Sequence, residues 1–242
     1  MERRIKEKMK KRLYVLTLAM LGVLQSAPTF AEEIKEETTL DVTIAIPVTG
    51  GETPAPPSAA GDFTVSDPEN PGNKGNNLLS AFGIAYQPDV FNFGRVVLKE
   101  TGEQEILAKL PQTGDRKFHV GVKATQRNAT GWALKVGLKG ALTEQAGISI
   151  EIGNGTGEVK VNQGDAVAAH LVNAPANRVF ASKNIPVSTT EALVMQGKTG
   201  EIHNDVYDYE LGEVRMKIAE VSQVKAGDYS QSSLQWNLEK AP

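Results

Sequence analysis

The chain has 242 residues, no cysteine, 6% aromatic residues and a formal charge of −3. Without cysteine there is no disulfide, thiolate metal site, thiol nucleophile or lipidated cysteine, and the aromatic content is too low for a broad stacking surface. At 40% hydrophobic residues the chain can bury a core without covalent staples, and a β-rich unit of this length can be a single domain.

Arg3, Arg4, Lys6, Lys8, Lys10, Lys11 and Arg12 form a basic n-region, followed by an apolar stretch from Leu13 to Leu24. Thr29-Phe30-Ala31 then supplies small residues on either side of Phe30. This is the pattern of a signal peptide over residues 1–31, with cleavage expected after Ala31. The apolar run is shorter than the roughly 20 residues a membrane span needs. No later segment is long and apolar enough either, so an exported, soluble product with no integral membrane span is expected. Residues 1–31 hold seven of the 26 basic and two of the 29 acidic residues, which leaves 19 basic against 27 acidic, near −8. No basic stripe remains to neutralise a phosphate backbone, so nucleic acid is not an expected partner.

After a charged lead-in, Glu32 to Glu37, the run Thr39 to Val48 reads as a strand with Leu40, Val42, Ile44 and Ile46 on one face. Residues 49–77 are rich in proline and glycine, including Pro56-Pro57 and Asp67-Pro68-Glu69-Asn70-Pro71-Gly72, and read as a long loop or linker. From Leu78 the pattern is β throughout. A strand is expected at Ala81–Tyr86, then a corner at Phe91-Asn92-Phe93-Gly94 and an apolar run at Val96–Leu98. Leu110-Pro111-Gln112-Thr113-Gly114 spells a sortase signal, but charged, alternating residues follow it, so it reads as a turn. Phe118, Val120 and Val122 alternate with His119, Gly121 and Lys123, which places His119 on the polar, solvent-facing side.

Ile148-x-Ile150-x-Ile152, the turn Gly153-Asn154-Gly155-Thr156-Gly157 and Val159-x-Val161 predict a hairpin. Further strands are expected at Ala166–Val172, Tyr207–Leu211, Val214–Ile218 and Ser233–Glu239. The one helix-like stretch, Thr189–Met195, is short and lies in a loop-rich region. Many short strands with polar turns predict an all-β fold, a single-domain β-sandwich-like unit with the long Pro/Gly-rich loop near its start.

The two tryptophans stand in matching contexts, Gly131-Trp132-Ala133-Leu134 and Gln235-Trp236-Asn237-Leu238. With period-2 alternation, Trp132, Leu134, Val136 and Leu138 share one face, opposite Ala133, Lys135, Gly137 and Lys139. Leu234, Trp236 and Leu238 likewise oppose Ser233, Gln235, Asn237 and Glu239. Such strands turn their apolar side inward, so each tryptophan reads either as core or as a ligand contact. In the core reading, the binding surface lies on the polar faces around Lys135, Lys139, Gln235 and Asn237.

Reactive chemistry is sparse. His119, His170 and His203 are far apart and lack H-x-H or H-E-x-x-H spacing. Asp205, Asp208 and Glu210 lack the EF-hand spacing and its glycine, and read as a solvated acidic face rather than a Ca²⁺ site. No nucleophile elbow, P-loop or dinucleotide fingerprint occurs. The expectation is a protein that is not an enzyme, with no catalytic residue, no metal and no cofactor.

Taken in order, these features resemble the WxL-domain surface proteins of Gram-positive bacteria across residues 32–242. The Asp67-Pro68-Glu69-Asn70-Pro71 segment precedes Phe93-Gly94, then Arg127-Asn128-Ala129-Thr130-Gly131-Trp132-Ala133-Leu134, then Leu234-Gln235-Trp236-Asn237-Leu238-Glu239-Lys240-Ala241-Pro242 with its Trp-x-Leu-x-x-x-Pro spacing. Leu234-Gln235 stands where that family usually has a Val-Thr pair. The resemblance implies a secreted protein at the cell surface and cell wall that binds peptidoglycan non-covalently. Trp132, Leu134, Trp236 and Leu238 are then the cell-wall-binding motif. It further implies other WxL proteins and membrane-anchored WxL-interacting proteins as partners, in complexes linked to adhesion or polysaccharide use, with this chain as an anchoring or assembly subunit. The alternative is a structural subunit that docks onto partner surface proteins by strand pairing, with no direct glycan binding.

Overall fold

In a computed structural model, residues 51–60, 68–164 and 167–241 are described; the expected signal peptide and the Thr39–Val48 strand lie outside them. The described residues form strands β1 (Asn73–Gly75), β2 (Phe82–Pro88), β3 (Gln104–Leu107), β4 (His119–Asn128), β5 (Trp132–Lys139), β6 (Ile148–Gly153) and β7 (Val159–Val161). They continue with β8 (Val172–Asn173), β9 (Val179–Ala181), β10 (Ile185–Val187), β11 (Ala192–Gly197), β12 (His203–Glu210), β13 (Glu213–Ile218) and β14 (Ser233–Lys240). Only single-turn 3-10 helices, Ala141–Glu144, Ala168–His170 and Val221–Gln223, interrupt them. The fold is all-β, as the sequence pattern predicts.

Three antiparallel sheets result, with strand orders β1-β2-β4-β12-β7-β8, β10-β6-β13-β3 and β14-β5-β11-β9. Their inner faces share one core. Val120, Val122, Tyr207 and Tyr209 come from the first sheet, Ile150, Ile152, Ile185 and Val214 from the second, and Trp132, Leu134, Val136 and Val194 from the third. Each set is the apolar half of a period-2 strand, so alternation alone selects which side chains leave water.

β4 and β12 are buried on both faces, which departs from the solvent-facing side expected for His119. The second face carries His119, Gly121, Lys123 and Asp208 beside a small apolar cluster of Ala85, Tyr86 and Val206. The Pro-rich stretch beginning at Gly51 lies against it. Lys123 Nζ donates to the Gly51 carbonyl (2.6 Å), and Asn162 Nδ2 donates to that of Ala55 (3.0 Å). Pro57 is buried, and Ser58 forms a bridge with Val167. Proline cannot donate to a ladder but its neighbours' carbonyls accept, so side-chain donors fasten this stretch where sheet pairing is denied.

Four further expectations are corrected. β6 and β7 are not a hairpin: β6 pairs with β10 and β13, β7 with β12 and β8. The glycine-rich link carries the chain from one sheet to another, with Asn154 and Gly157 at positive φ, because both strands have apolar faces to bury in the same core. Val96–Leu98 forms no strand, and Val97 is exposed; Gln104–Leu107 pairs with β13 instead. In the described part of Ala166–Val172, a 3-10 turn at Ala168–His170 leaves only the short β8. Thr189–Met195 contains the start of β11 rather than a helix. The Leu110–Gly114 segment does form a connection without strand structure, held by Thr113 Oγ1 donating to the Pro71 carbonyl (2.7 Å).

Trp132 is 1% exposed, packed between His203, Tyr207 and β11. A Cβ on Gly197, its β11 partner, would overlap the indole ring, so this position admits only glycine without displacing the tryptophan. Trp132→Ala is expected to cost about 3–5 kcal/mol by leaving a cavity, and Gly197→Ala about 1–3 kcal/mol by overpacking. Urea unfolding of both variants measures this, with Leu79→Ala as an exposed control near zero.

Candidate functional site

The two tryptophan-containing stretches are direct neighbours. β14 pairs antiparallel with β5 in unbroken register: Leu238 stands opposite Leu134, Trp236 opposite Val136 and Lys240 opposite Trp132. The leucines therefore sit on a local two-fold, with one tryptophan two residues to either side. On the inner face Trp132 and Leu134 are buried, while Trp236 and Leu238 on the outermost strand of the sheet are half-buried. Trp132 Nε1 has no hydrogen-bond partner among the described residues, so shape holds this ring rather than polar contact.

The outer face of the same strands is polar and connected. Lys135 Nζ lies 2.6 Å from Glu239 Oε2, joining side chains 104 positions apart in the sequence. Asn237 Nδ2 donates to Glu239 Oε1 (2.9 Å) and reaches Glu191 Oε2 at 3.3 Å. Gly137 leaves the space: a Cβ there would stand 3.2 Å from Glu191 Cγ. The contact with Glu239 raises the Lys135 ammonium above its ordinary value and, in return, lowers the Glu239 carboxyl. Glu239 is exposed and Lys135 only half-buried, so the worth of the pair is in presenting donors and acceptors rather than in stability. Gln235 and Lys139 flank the group, exposed.

Glu191 also borders an open groove of about 530 Å³ between β6, β10 and β11, lined by Ser149, Glu151, Ser182, Asn184, Thr190 and Leu193 among others. Face and groove together offer amide, hydroxyl and carboxylate groups in a row, the inventory that hydrogen-bonds hydroxyl- and amide-rich polymers. Lys135, Lys139, Gln235 and Asn237 are visible from strand alternation. Glu191 and the groove are not, because Glu191 lies in the helix-like stretch Thr189–Met195 and the groove arises only where β6, β10 and β11 come together.

A second polar constellation is buried. His119 Nε2–H donates to Asp115 Oδ2 (2.9 Å) and Nδ1–H to Asp208 Oδ1 (3.0 Å). Tyr86 Oη donates to Asp208 Oδ1 (2.9 Å), its ring lying over Gly121, where a Cβ would overlap it. Burial pushes the imidazole down, but the hydrogen bonds to Asp115 and Asp208 and their charges outweigh it, raising His119 to about 9. The acidic face expected from Asp205, Asp208 and Glu210 is thus corrected: Asp208 is buried against His119, and Glu210 pairs with Lys117 at 2.8 Å. His203 is buried beside Trp132, with Nε2–H donating to the Lys198 carbonyl (3.0 Å), and His170 is exposed. Among the described residues no three His, Asp or Glu side chains cluster as metal ligands, and no helix is long and apolar enough to cross a membrane.

Comparison with known proteins adds one finding. Residues 31–242 match the family described as WxL domain surface cell wall-binding. No curated protein and no solved structure matches significantly.

Because His119 is raised from 6.5 to about 9 in the folded state, it binds its proton more tightly folded than unfolded. Its stabilising contribution is full below its unfolded value and is lost as pH rises through about 9. Urea midpoints of the wild type are expected to fall across that window, whereas His119→Asn starts lower and stays flat over it.

Proposed function

Because the chain belongs to the WxL domain family of surface cell wall-binding proteins, we propose that it attaches non-covalently to peptidoglycan through the polar face of its paired motif strands. The family is defined by wall binding and is not an enzyme family. Its cell-surface setting accords with a signal peptide ending at Ala31, next to the start of the family match.

The observation that carries the reading is the division of labour between the two faces of β5 and β14. Trp132, Leu134, Trp236 and Leu238 turn toward the core, so in this proposal they serve binding by fixing the sheet. Lys135, Asn237, Glu239 and Glu191 stand on the opposite side, within hydrogen-bond reach of one another and of a passing polymer. Peptidoglycan presents hydroxyls, acetamides and peptide groups, all of which these side chains complement. The protein then acts as an anchoring or assembly subunit. Other WxL proteins and membrane-anchored WxL-interacting proteins are its proposed partners, in complexes serving adhesion or polysaccharide use, with no catalysis of its own.

Sedimentation with purified, insoluble peptidoglycan tests this. The wild type is expected in the pellet, with no soluble sugar released. The Glu191→Ala, Asn237→Ala double variant is expected to bind about tenfold more weakly, from the loss of hydrogen bonds worth about 1–3 kcal/mol, with Tm nearly unchanged. A protein that stays in the supernatant until a WxL-interacting partner is added would refute direct binding.

A further inference from the structure

Among the described residues six strands terminate the three sheets, and five of them are short: β1, β8, β3, β9 and β10 run two to four residues, the last containing Pro186. Short edges and edge prolines block further pairing. β14 differs on every count, with eight residues, no proline, no register shift and no charge on the inner face between Leu234 and Leu238.

The direction of its free backbone groups follows from one bond. Ala241 N–H donates to the Gly131 carbonyl (2.7 Å), one step beyond the Lys240–Trp132 pair. Antiparallel ladders alternate hydrogen-bonded and non-bonded pairs, so Glu239, Asn237 and Gln235 bond β5. The N–H and C=O groups of Leu234, Trp236 and Leu238 therefore point away from it. None of these finds a backbone partner among the described residues. The apolar side is unfinished in the same place, since Leu138, Val136 and Leu134 on β5 are buried whereas their β14 neighbours Leu234, Trp236 and Leu238 are only half-covered.

We propose that a second copy of this chain pairs with β14, edge to edge and antiparallel, across a two-fold axis at Trp236, joining two four-stranded sheets into one. The edge is self-complementary in that register. On the inner face Trp236 meets Trp236 of the second copy, and Leu234 meets Leu238. On the outer face Gln235 stands opposite Asn237, and Ser233 opposite Glu239, so no like charges face each other. Leu234, Trp236 and Leu238 exchange about six main-chain hydrogen bonds with the second copy. This pairing is independent of which wall polymer is bound, and it places two polar motif faces side by side on one surface.

The absence of native cysteine gives the test a silent background. Gln235 and Asn237 of the second copy form a non-hydrogen-bonded pair, with Cα atoms about 4.5 Å apart, a separation that a disulfide spans. Gln235→Cys and Asn237→Cys, mixed under mild oxidation, are expected to give covalent dimer at least tenfold above either variant alone. By sedimentation velocity the wild type should show a concentration-dependent dimer. Leu238→Lys, folded by circular dichroism, should sediment as monomer. A wild type that stays monomeric at every concentration overturns the proposal, also where a different protein's strand binds the edge. So does self-crosslinking of Asn237→Cys equal to the mixture. Protection of the Leu234, Trp236 and Leu238 amides from hydrogen exchange in a monomer would mean the chain covers its own edge, and would equally refute it.

Discussion

The antiparallel contact between β5 and β14 is the constraint from which the rest of the molecule follows. It joins segments far apart in sequence and sets Leu134 against Leu238. A shift of one residue would turn every tryptophan and leucine of one strand to the opposite face. Register is therefore enforced by burial of the tryptophan-leucine face, and the Lys135–Glu239 contact on the other face is a consequence of it. Closing so long a loop is entropically costly, and the apolar side chains shared by three sheets supply the offsetting gain.

That arrangement gives one short motif two physical tasks. The tryptophan-leucine face builds the core, most fully at Trp132, whose ring is admitted by the missing side chain of Gly197. The intervening residues, free of packing demands, carry the polar groups proposed to meet the wall. A family marker can thus be read as a core element and still define a binding surface, because a strand presents both faces at once. The same logic makes β14 unusual: its face is built into the sheet while, among the described residues, its backbone edge has no partner strand.

Far from the motif, a different principle organises the first sheet. The strands β4 and β12 are covered on both sides, and their second face buries charge. Two carboxylates and a raised imidazole, with Tyr86 and Asn162 nearby, satisfy one another there. A buried charge pair is weak support for stability in itself, but losing one partner is severe. The Pro-rich stretch rests on this face through its carbonyls, so composition that reads as linker serves as a cover.

By itself the sequence determined the all-β class, the strands at β2, β4, β5, β6, β7, β12, β13 and β14, and which residues share a face with Trp132 and Leu134, since period-2 alternation is a local property. That this face turns into the core was decided by the tertiary structure. It also marked Lys135, Gln235 and Asn237 as the polar side of the motif strands. Only the tertiary structure decided which strands are neighbours. It separated β6 from β7 despite a strong turn signal, because the core offered each a better place in a different sheet. It buried His119 and Asp208, whose polar character reads as exposure until a second layer covers them. It brought Glu191 beside Asn237, and among the described strands it left β14 at an edge. These are consequences of long-range pairing, and no local pattern of residues encodes which partner a strand will find.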